Sequence, residues 1–218
     1  MNDLWSYLRT NGDDVFTALV QHIWLALAPV TIAFVLALPL GALVQRYGPV
    51  RHIALTAGSV IYTVPSLALL LLLPGILGTS VLDPLNVIIA LTLYSLALLV
   101  RTTADGLDAV DPTVLQAASA MGYRPVRRWL TVQLPLAMPV ILTGLRVATV
   151  ANVSMVSVAA LIGIGGLGQL FTRGFQLGFY LPPIVIGLIL SVALAVVADV
   201  FIVAVQRRLT PWARAGAR

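Results

Sequence analysis

Long apolar stretches alternate with short polar segments along the chain. A helix needs about 20 mostly apolar residues to cross the hydrocarbon core of a bilayer. The stretches that reach or approach this length cover residues 22–44, 53–77, 85–100, 135–161 and 182–205. The pattern predicts an all-α polytopic membrane protein with five transmembrane helices in one domain, residues 1–218. Prolines inside these stretches are expected to kink or end their helices.

The composition agrees with a membrane protein and excludes several other classes. Hydrophobic residues make up 60% of the chain and charged residues 10%, whereas a soluble domain carries roughly 25% charged residues. Disorder is excluded as well, because it needs low hydrophobicity and high charge. The chain has no cysteine and no glutamate, and its two histidines are His22 and His52. We therefore expect neither a metal site nor a cofactor in this chain.

The charges indicate an orientation in the membrane. All 13 basic residues are arginines, and the net charge is +5. If five helices alternate in direction, ten arginines fall on one side: Arg46, Arg51, Arg101, Arg124, Arg127, Arg128, Arg207, Arg208, Arg214 and Arg218. Only Arg9 and Arg173 fall on the other side. Arginine-rich loops stay in the cytoplasm, so we expect an outside N-terminus, a cytoplasmic C-terminus and contact with anionic lipid rather than nucleic acid.

The segment 101–134 is too polar to cross the membrane and too long for a simple turn. Asp111 or Thr113 can cap a short helix with Pro112 in its first turn, and Gly122 suits the position after its end. A second short helix is expected over residues 125–132, with Pro135 opening the fourth span. The segment is either a solvated loop whose arginines reach lipid phosphates or a docking surface for a cytoplasmic partner.

The spacing within this segment favours the docking surface. Gln116-Ala117-Ala118, three residues, Gly122, nine residues, Val132, one residue and Leu134-Pro135 resemble the EAA signature of binding-protein-dependent ABC importer permeases. The signature usually has Glu where this chain has Gln116 and Ile where it has Val132. The loss of the carboxylate at position 116 removes a salt bridge but keeps hydrogen-bonding capacity.

The resemblance implies a type I importer permease fold, similar to that of methionine permeases, and an alternating-access mechanism. In that family the EAA loop forms a coupling helix that docks on a cytoplasmic ABC ATPase dimer, which binds ATP and Mg. The coupling residues would be Gln116, Ala117, Ala118, Gly122, Tyr123 and Arg124. The other implied partners are a second permease chain, identical or paralogous, and an extracytoplasmic substrate-binding protein. The chain itself has no GxxxxGK[ST] sequence, so it is expected to be a conduit and not an enzyme.

A second stretch narrows the resemblance to one group within the family. Residues 63–70, TVPSLALL, are similar to a stretch of osmoprotectant permeases, which serve glycine betaine, carnitine and choline importers. Residues 165–169, GGLGQ, occur in methionine permeases as well, so an amino-acid importer remains the alternative. The glycines of 163–168 would form either a flexible turn or a close helix contact, or else an external gate or part of the surface that meets the binding protein.

Polar and aromatic residues inside the spans are candidates for an ion pair or a substrate path in the membrane interior. Arg146 and Asp199 lie at similar depths, which makes an intramembrane ion pair possible. A quaternary ammonium is attracted to aromatic faces, so Trp24, Tyr62 and Tyr94 could line a substrate path, with Asn152 as polar lining. Ordinary packing is the simpler account of each of these four residues.

Two other functional classes fit less well. An intramembrane hydrolase needs a nucleophile and a base at membrane depth, and both histidines lie at span edges. A secondary transporter needs coupling carboxylates or sodium sites near the midplane. Asp199 is the one acidic residue available there, and the segment 101–134 would then have no explanation.

Overall fold

The fold is built from helices, and the computed structural model describes residues 2–212. No strand occurs among these residues. The helices are α1 Asn2–Arg46, α2 Gly48–Thr63, α3 Ser66–Leu77, α4 Pro84–Asp108, α5 Pro112–Ala120, α6 Pro125–Arg128, α7 Leu134–Ala159, α8 Gly168–Gln176 and α9 Leu181–Leu209. A π-helical turn, Trp129–Gln133, joins α6 to α7, and a 3-10 turn, Ala160–Ile162, follows α7.

Four of the five predicted spans are continuous helices in the structure. The helical segments Asp3–Arg46, Pro84–Asp108, Pro125–Ile162 and Leu181–Leu209 are each long and apolar enough to cross a membrane. Each contains one predicted stretch and extends beyond it by up to several turns. Arg214 and Arg218, which contribute to the predicted charge asymmetry, lie outside the described residues.

The second predicted span, 53–77, is not one helix. It consists of α2 and α3, which are bent by 104° at the break between them. Pro65 causes the break, because it has no N–H to donate and disfavours helical backbone at the preceding residue. Val64 is accordingly extended, with φ −71° and ψ 125°. The prediction of five membrane spans holds if this bent pair counts as one span.

The first helix begins some twenty residues before its predicted span. The predicted start at residue 22 followed from the polar character of residues 1–21, yet helical structure extends back to Asn2, with a kink at Asn11. Tyr7, Val15 and Ala18 form a buried stripe on this extension that packs against Leu167 and Leu170. One apolar stripe is enough to hold a helix whose other faces are polar.

The core lies where α1, α4 and α7 cross. Leu25, Leu91 and Val156 are buried together in its largest apolar cluster. The helices approach closely at two glycines: a Cβ on Gly41 would lie 2.5 Å from the Thr103 side chain, and one on Gly144 would lie 2.5 Å from the Thr102 hydroxyl. Small residues at such crossings let the backbones of membrane helices come together.

A buried histidine joins three separate parts of the fold. The His22 ring on α1 is fully buried. Its Nδ1 accepts a hydrogen bond from the Leu167 backbone N–H at 3.1 Å, and its Nε2 lies 2.9 Å from the Val153 carbonyl on α7. Because Nδ1 is the acceptor, the proton sits on Nε2 and is donated to Val153. The glycine-rich run 163–168 is thus a closely packed turn, in which Gly166 has φ +98°.

Replacing His22 with alanine should destabilise the protein. The change leaves the Leu167 N–H and the Val153 carbonyl without their partner, and each unsatisfied buried group costs roughly 1–3 kcal/mol. Thermal or denaturant unfolding in detergent should show a clear loss for His22→Ala. His52→Ala is the matched control, because His52 is exposed. Equal melting temperatures for the two variants would contradict the bridging role of His22.

Candidate functional site

The polar segment between α4 and α7 begins with a capped helix. Asp111 precedes α5, and its Oδ1 accepts hydrogen bonds from the backbone N–H and the hydroxyl of Thr113, both at 2.8 Å. Pro112 occupies the first turn. Asp111, rather than Thr113, is therefore the cap. The bond from the Thr113 backbone, supported by that from its hydroxyl, lowers the pKa of the Asp111 carboxyl below its ordinary value.

The end of α5 is equally well defined. Gly122 has φ +83°, a left-handed conformation that glycine adopts without strain. Its N–H donates to the Ser119 carbonyl at 3.0 Å, and the Tyr123 N–H donates to the Ala118 carbonyl at 3.1 Å. This pair of bonds is a Schellman motif, which confirms the predicted position of Gly122 after the helix end.

The second predicted helix of the segment, 125–132, is wrong as a separate element. Helical structure runs without a break from Pro125 through the π-helical turn into α7. A proline inside a helix clashes with the carbonyl four residues before it, and the wider π-helical turn just before Pro135 relieves that clash. The end of the polar segment and the fourth span therefore form one rod, Pro125–Ile162.

One side of α5 is attached to this rod. Leu115 packs against the apolar cluster of Leu107 and Ile141, and Ala118, one of the predicted coupling residues, is buried. The Arg128 guanidinium donates a hydrogen bond to the Ser119 hydroxyl at 2.6 Å. The attachment is thus apolar in the middle and polar at the end of the helix.

The opposite side of the segment is open. Gln116, Ala117, Gly122 and Arg124 are exposed, and Tyr123 is half-buried under the Arg127 guanidinium, 5.0 Å from its ring centroid. Exposed apolar side chains surround them, namely Val114, Met121, Val126 and Leu130. Exposed apolar side chains that are rimmed by polar residues are typical of a surface that another protein covers. Since Arg127 and Arg128 contact residues of the segment itself, the docking interpretation fits better than a loop that reaches lipid phosphates.

An ion-pair cluster that the sequence analysis missed lies on the same side of the fold. The Arg51 guanidinium on α2 donates hydrogen bonds to the carboxylates of Asp105 and Asp108 on α4. Asp105 also lies 4.0 Å from Arg101. The signal in the sequence was the spacing of Asp105 and Asp108, three residues apart on one helix face. The cluster ties the first half of the broken span to α4.

The two charged residues inside the spans meet in the structure. The Arg146 Nε on α7 lies 2.7 Å from one carboxylate oxygen of Asp199 on α9, and a terminal nitrogen lies 2.9 Å from the other. Both side chains are about one-third exposed on the single chain. Such a two-point contact fixes the relative orientation of both groups as well as neutralising them.

The four candidate path residues do not form one surface. Tyr62 and Tyr94 lie together, with ring centroids 5.8 Å apart and an interplanar angle of 78°. Trp24 is exposed on α1. Asn152 is buried, and its amide accepts a hydrogen bond from the Ser95 hydroxyl at 3.1 Å and donates to the Ala26 carbonyl. Of the two tyrosines, Tyr62 is exposed and Tyr94 is buried.

Comparison with solved structures identifies the class of fold. The chain superimposes on an inward-facing MetNI methionine ABC transporter with a TM-score of 0.72, covering 86% of this chain and 94% of that one, at 22% identity. An amino acid ABC transporter determined with histidines gives a TM-score of 0.74, covering 89% and 93%, also at 22% identity. The fold is that of an ABC importer permease.

The amino-acid sequence places the chain more closely. Residues 30–211 match the family described as the binding-protein-dependent transport system inner membrane component. The chain is 33% identical to the osmoprotectant import permease protein OsmW of Salmonella typhimurium, over 96% of this chain and 98% of the relative. It is 32% identical to the choline transport system permease protein OpuBB of Bacillus subtilis, over 97% and 95%. The chain belongs to this family and is a multi-pass transport component of the inner membrane.

Exchanging the charges of the intramembrane pair should rescue the damage that each single change causes. Arg146→Asp or Asp199→Arg alone places two like charges side by side at membrane depth, which should lower the yield and thermal stability of the purified protein. The double variant restores opposite charges. The Asp14–Arg173 pair, which is more exposed, provides a control in which single changes should have little effect. A double variant as unstable as the singles would contradict the pairing.

Removing the cap of α5 should loosen that helix locally. Asp111→Ala should speed amide hydrogen exchange in residues 113–120 severalfold, whereas Asp111→Asn, which keeps a hydrogen-bond acceptor, should not. Because the folded-state pKa of Asp111 is lowered, its stabilising effect is complete above the ordinary value and is lost as the pH falls through the lowered one. An amide hydrogen-exchange rate in α5 that is the same in Asp111→Ala as in the wild type would contradict the capping role of Asp111.

Proposed function

We propose that the chain is the membrane-spanning subunit through which an ATP-driven importer moves quaternary-amine osmoprotectants such as glycine betaine, carnitine or choline. The main support is that relatives 32–33% identical over nearly the whole chain carry names that specify these substrates. The methionine and amino acid ABC transporters of similar fold are 22% identical, so they support the architecture and leave an amino-acid substrate as the lesser alternative.

The exposed side of α5 is the proposed contact with a separate ATPase. Gln116 and Ala117 face outward there, while Leu115 and Ser119 hold the opposite side to the rod that contains α7. A force on α5 would therefore reach the membrane interior through side chains that are already in contact. In this proposal ATP and Mg are bound by the cytoplasmic ATPase dimer, and this chain supplies the conduit.

The chain would act within a larger assembly. Two permease chains, identical or paralogous, would form the pathway between them, and an extracytoplasmic binding protein would deliver the substrate. The arginine-rich side of the chain would face the cytoplasm, because arginine-rich loops are retained there. Arg46, Arg51 and Arg101 share that side with α5, so docking of the ATPase and the charge asymmetry require the same orientation.

Transport should depend on ATP and on the partner subunits. We expect proteoliposomes containing the permease, its ATPase and its binding protein to accumulate radiolabelled glycine betaine, carnitine or choline only with ATP on the ATPase side. An ATPase variant unable to hydrolyse ATP is the control. Uptake driven by a sodium or proton gradient without ATP would indicate a secondary transporter instead. Accumulation of methionine or histidine, and of no quaternary amine, would indicate an amino-acid importer.

A further inference from the structure

Two adjoining cavities lie along the seam between α2 and α4. Their volumes are about 390 and 330 Å³, and Leu55, Ser59 and Arg101 line both. Binding sites for small molecules have volumes of about 300–1,000 Å³. Gly58 on α2 faces Ala97 on α4, a contact between two small residues that lines the floor of the second cavity. The two cavities together, here called the seam groove, are large enough for a small organic ion.

The end of the seam groove near the break between α2 and α3 is aromatic. Tyr62 lines it and is 47% exposed. Tyr94 packs against the Tyr62 ring at 78°, and its hydroxyl donates a hydrogen bond to the Val64 carbonyl at the break between α2 and α3. Tyr94 thus holds the Tyr62 ring in place, and the Tyr62 ring remains accessible from the groove. The face of such a ring attracts a cation, and more strongly where water is excluded.

The end of the seam groove near the C-terminus of α4 is cationic. Arg101 lines both cavities, and its nearest charged partner is Asp105 at 4.0 Å. Among the described residues no hydrogen bond is made by its guanidinium, whereas Arg51 donates to both Asp105 and Asp108. A guanidinium carries five N–H donors. Arg101 can therefore bind a carboxylate with two parallel hydrogen bonds.

The aromatic and cationic ends belong to one continuous space. Tyr62 and Arg101 both line the cavity of about 330 Å³ between α2 and α4. A cavity of this volume lies within the range of small-molecule sites. A trimethylammonium group on the Tyr62 ring and a carboxylate on Arg101 are therefore compatible with one bound molecule.

We infer that the seam groove is a substrate subsite of the permease itself, built for zwitterionic quaternary amines. This inference rests on the proposed function and adds a specificity to it. Tyr62 binds the quaternary ammonium, and Arg101 binds the carboxylate of glycine betaine or carnitine. Choline has no carboxylate, so it uses the aromatic end alone. The permease thus contributes to discrimination after the binding protein has released its substrate.

The test compares substrates within one assembled importer. Proteoliposomes with saturating binding protein and ATP give transport rates for glycine betaine, carnitine and choline. Arg101→Gln should lower the rates for glycine betaine and carnitine about tenfold, the value of a charged hydrogen bond, and leave the choline rate within twofold. Tyr62→Leu should lower all three rates about threefold to tenfold, and Tyr62→Phe should restore them.

Matched control variants separate this effect from general damage. Arg46→Gln and Tyr47→Leu change the same residue types at the α1–α2 junction, where Tyr47 is 46% exposed, and they should leave all rates unchanged. Equal losses of betaine and choline transport in Arg101→Gln would overturn the subsite, because general damage does not distinguish substrates. Wild-type transport of choline alone would overturn the role of Arg101. Wild type that moves no quaternary amine would refute the proposed function itself.

Discussion

Inside the hydrocarbon region every backbone polar group needs a partner within the protein, and the rest of the structure depends on this constraint. His22 uses both ring nitrogens to join α1, α7 and the turn before α8. Asn152 similarly joins α7 to α4 and α1, and Arg146 joins α7 to α9. Each of these contacts also fixes the mutual position of two helices. The buried polar groups therefore specify how the apolar helices pack.

These contacts converge on α7, which is continuous with the end of the polar segment that carries α5. The rod Pro125–Ile162 carries the attachment of α5 at one end and the contact with His22 near the other. Because the π-helical turn keeps the rod continuous past Pro135, a displacement of α5 would be transmitted along α7 and through Arg146 to α9. This geometry is compatible with a lever that connects the exposed side of α5 with the membrane interior.

Periodicity and motif spacing predicted the spans, the capped helix α5 and the close approach of Arg146 and Asp199. They missed features that depend on tertiary contacts. The extension of α1 to Asn2 is held by a stripe against α8, a helix that the apolar pattern did not reveal. Pro65 breaks its helix whereas Pro29 and Pro39 lie inside α1, and local sequence does not distinguish these outcomes. Asn152 was a candidate for the path because its partners on other helices were unknown.

The central claim is that the exposed side of α5 faces the cytoplasm and is covered by the ATPase. The chain contains no cysteine, so Ala117→Cys provides a single reactive thiol at the exposed side of α5. Its labelling by a membrane-impermeant maleimide can be compared in right-side-out and inverted vesicles, with and without the ATPase subunits. The account predicts labelling only from the cytoplasmic face, and strong protection once the ATPase is bound. Labelling from the outer face, or labelling that the ATPase leaves unchanged, would contradict it.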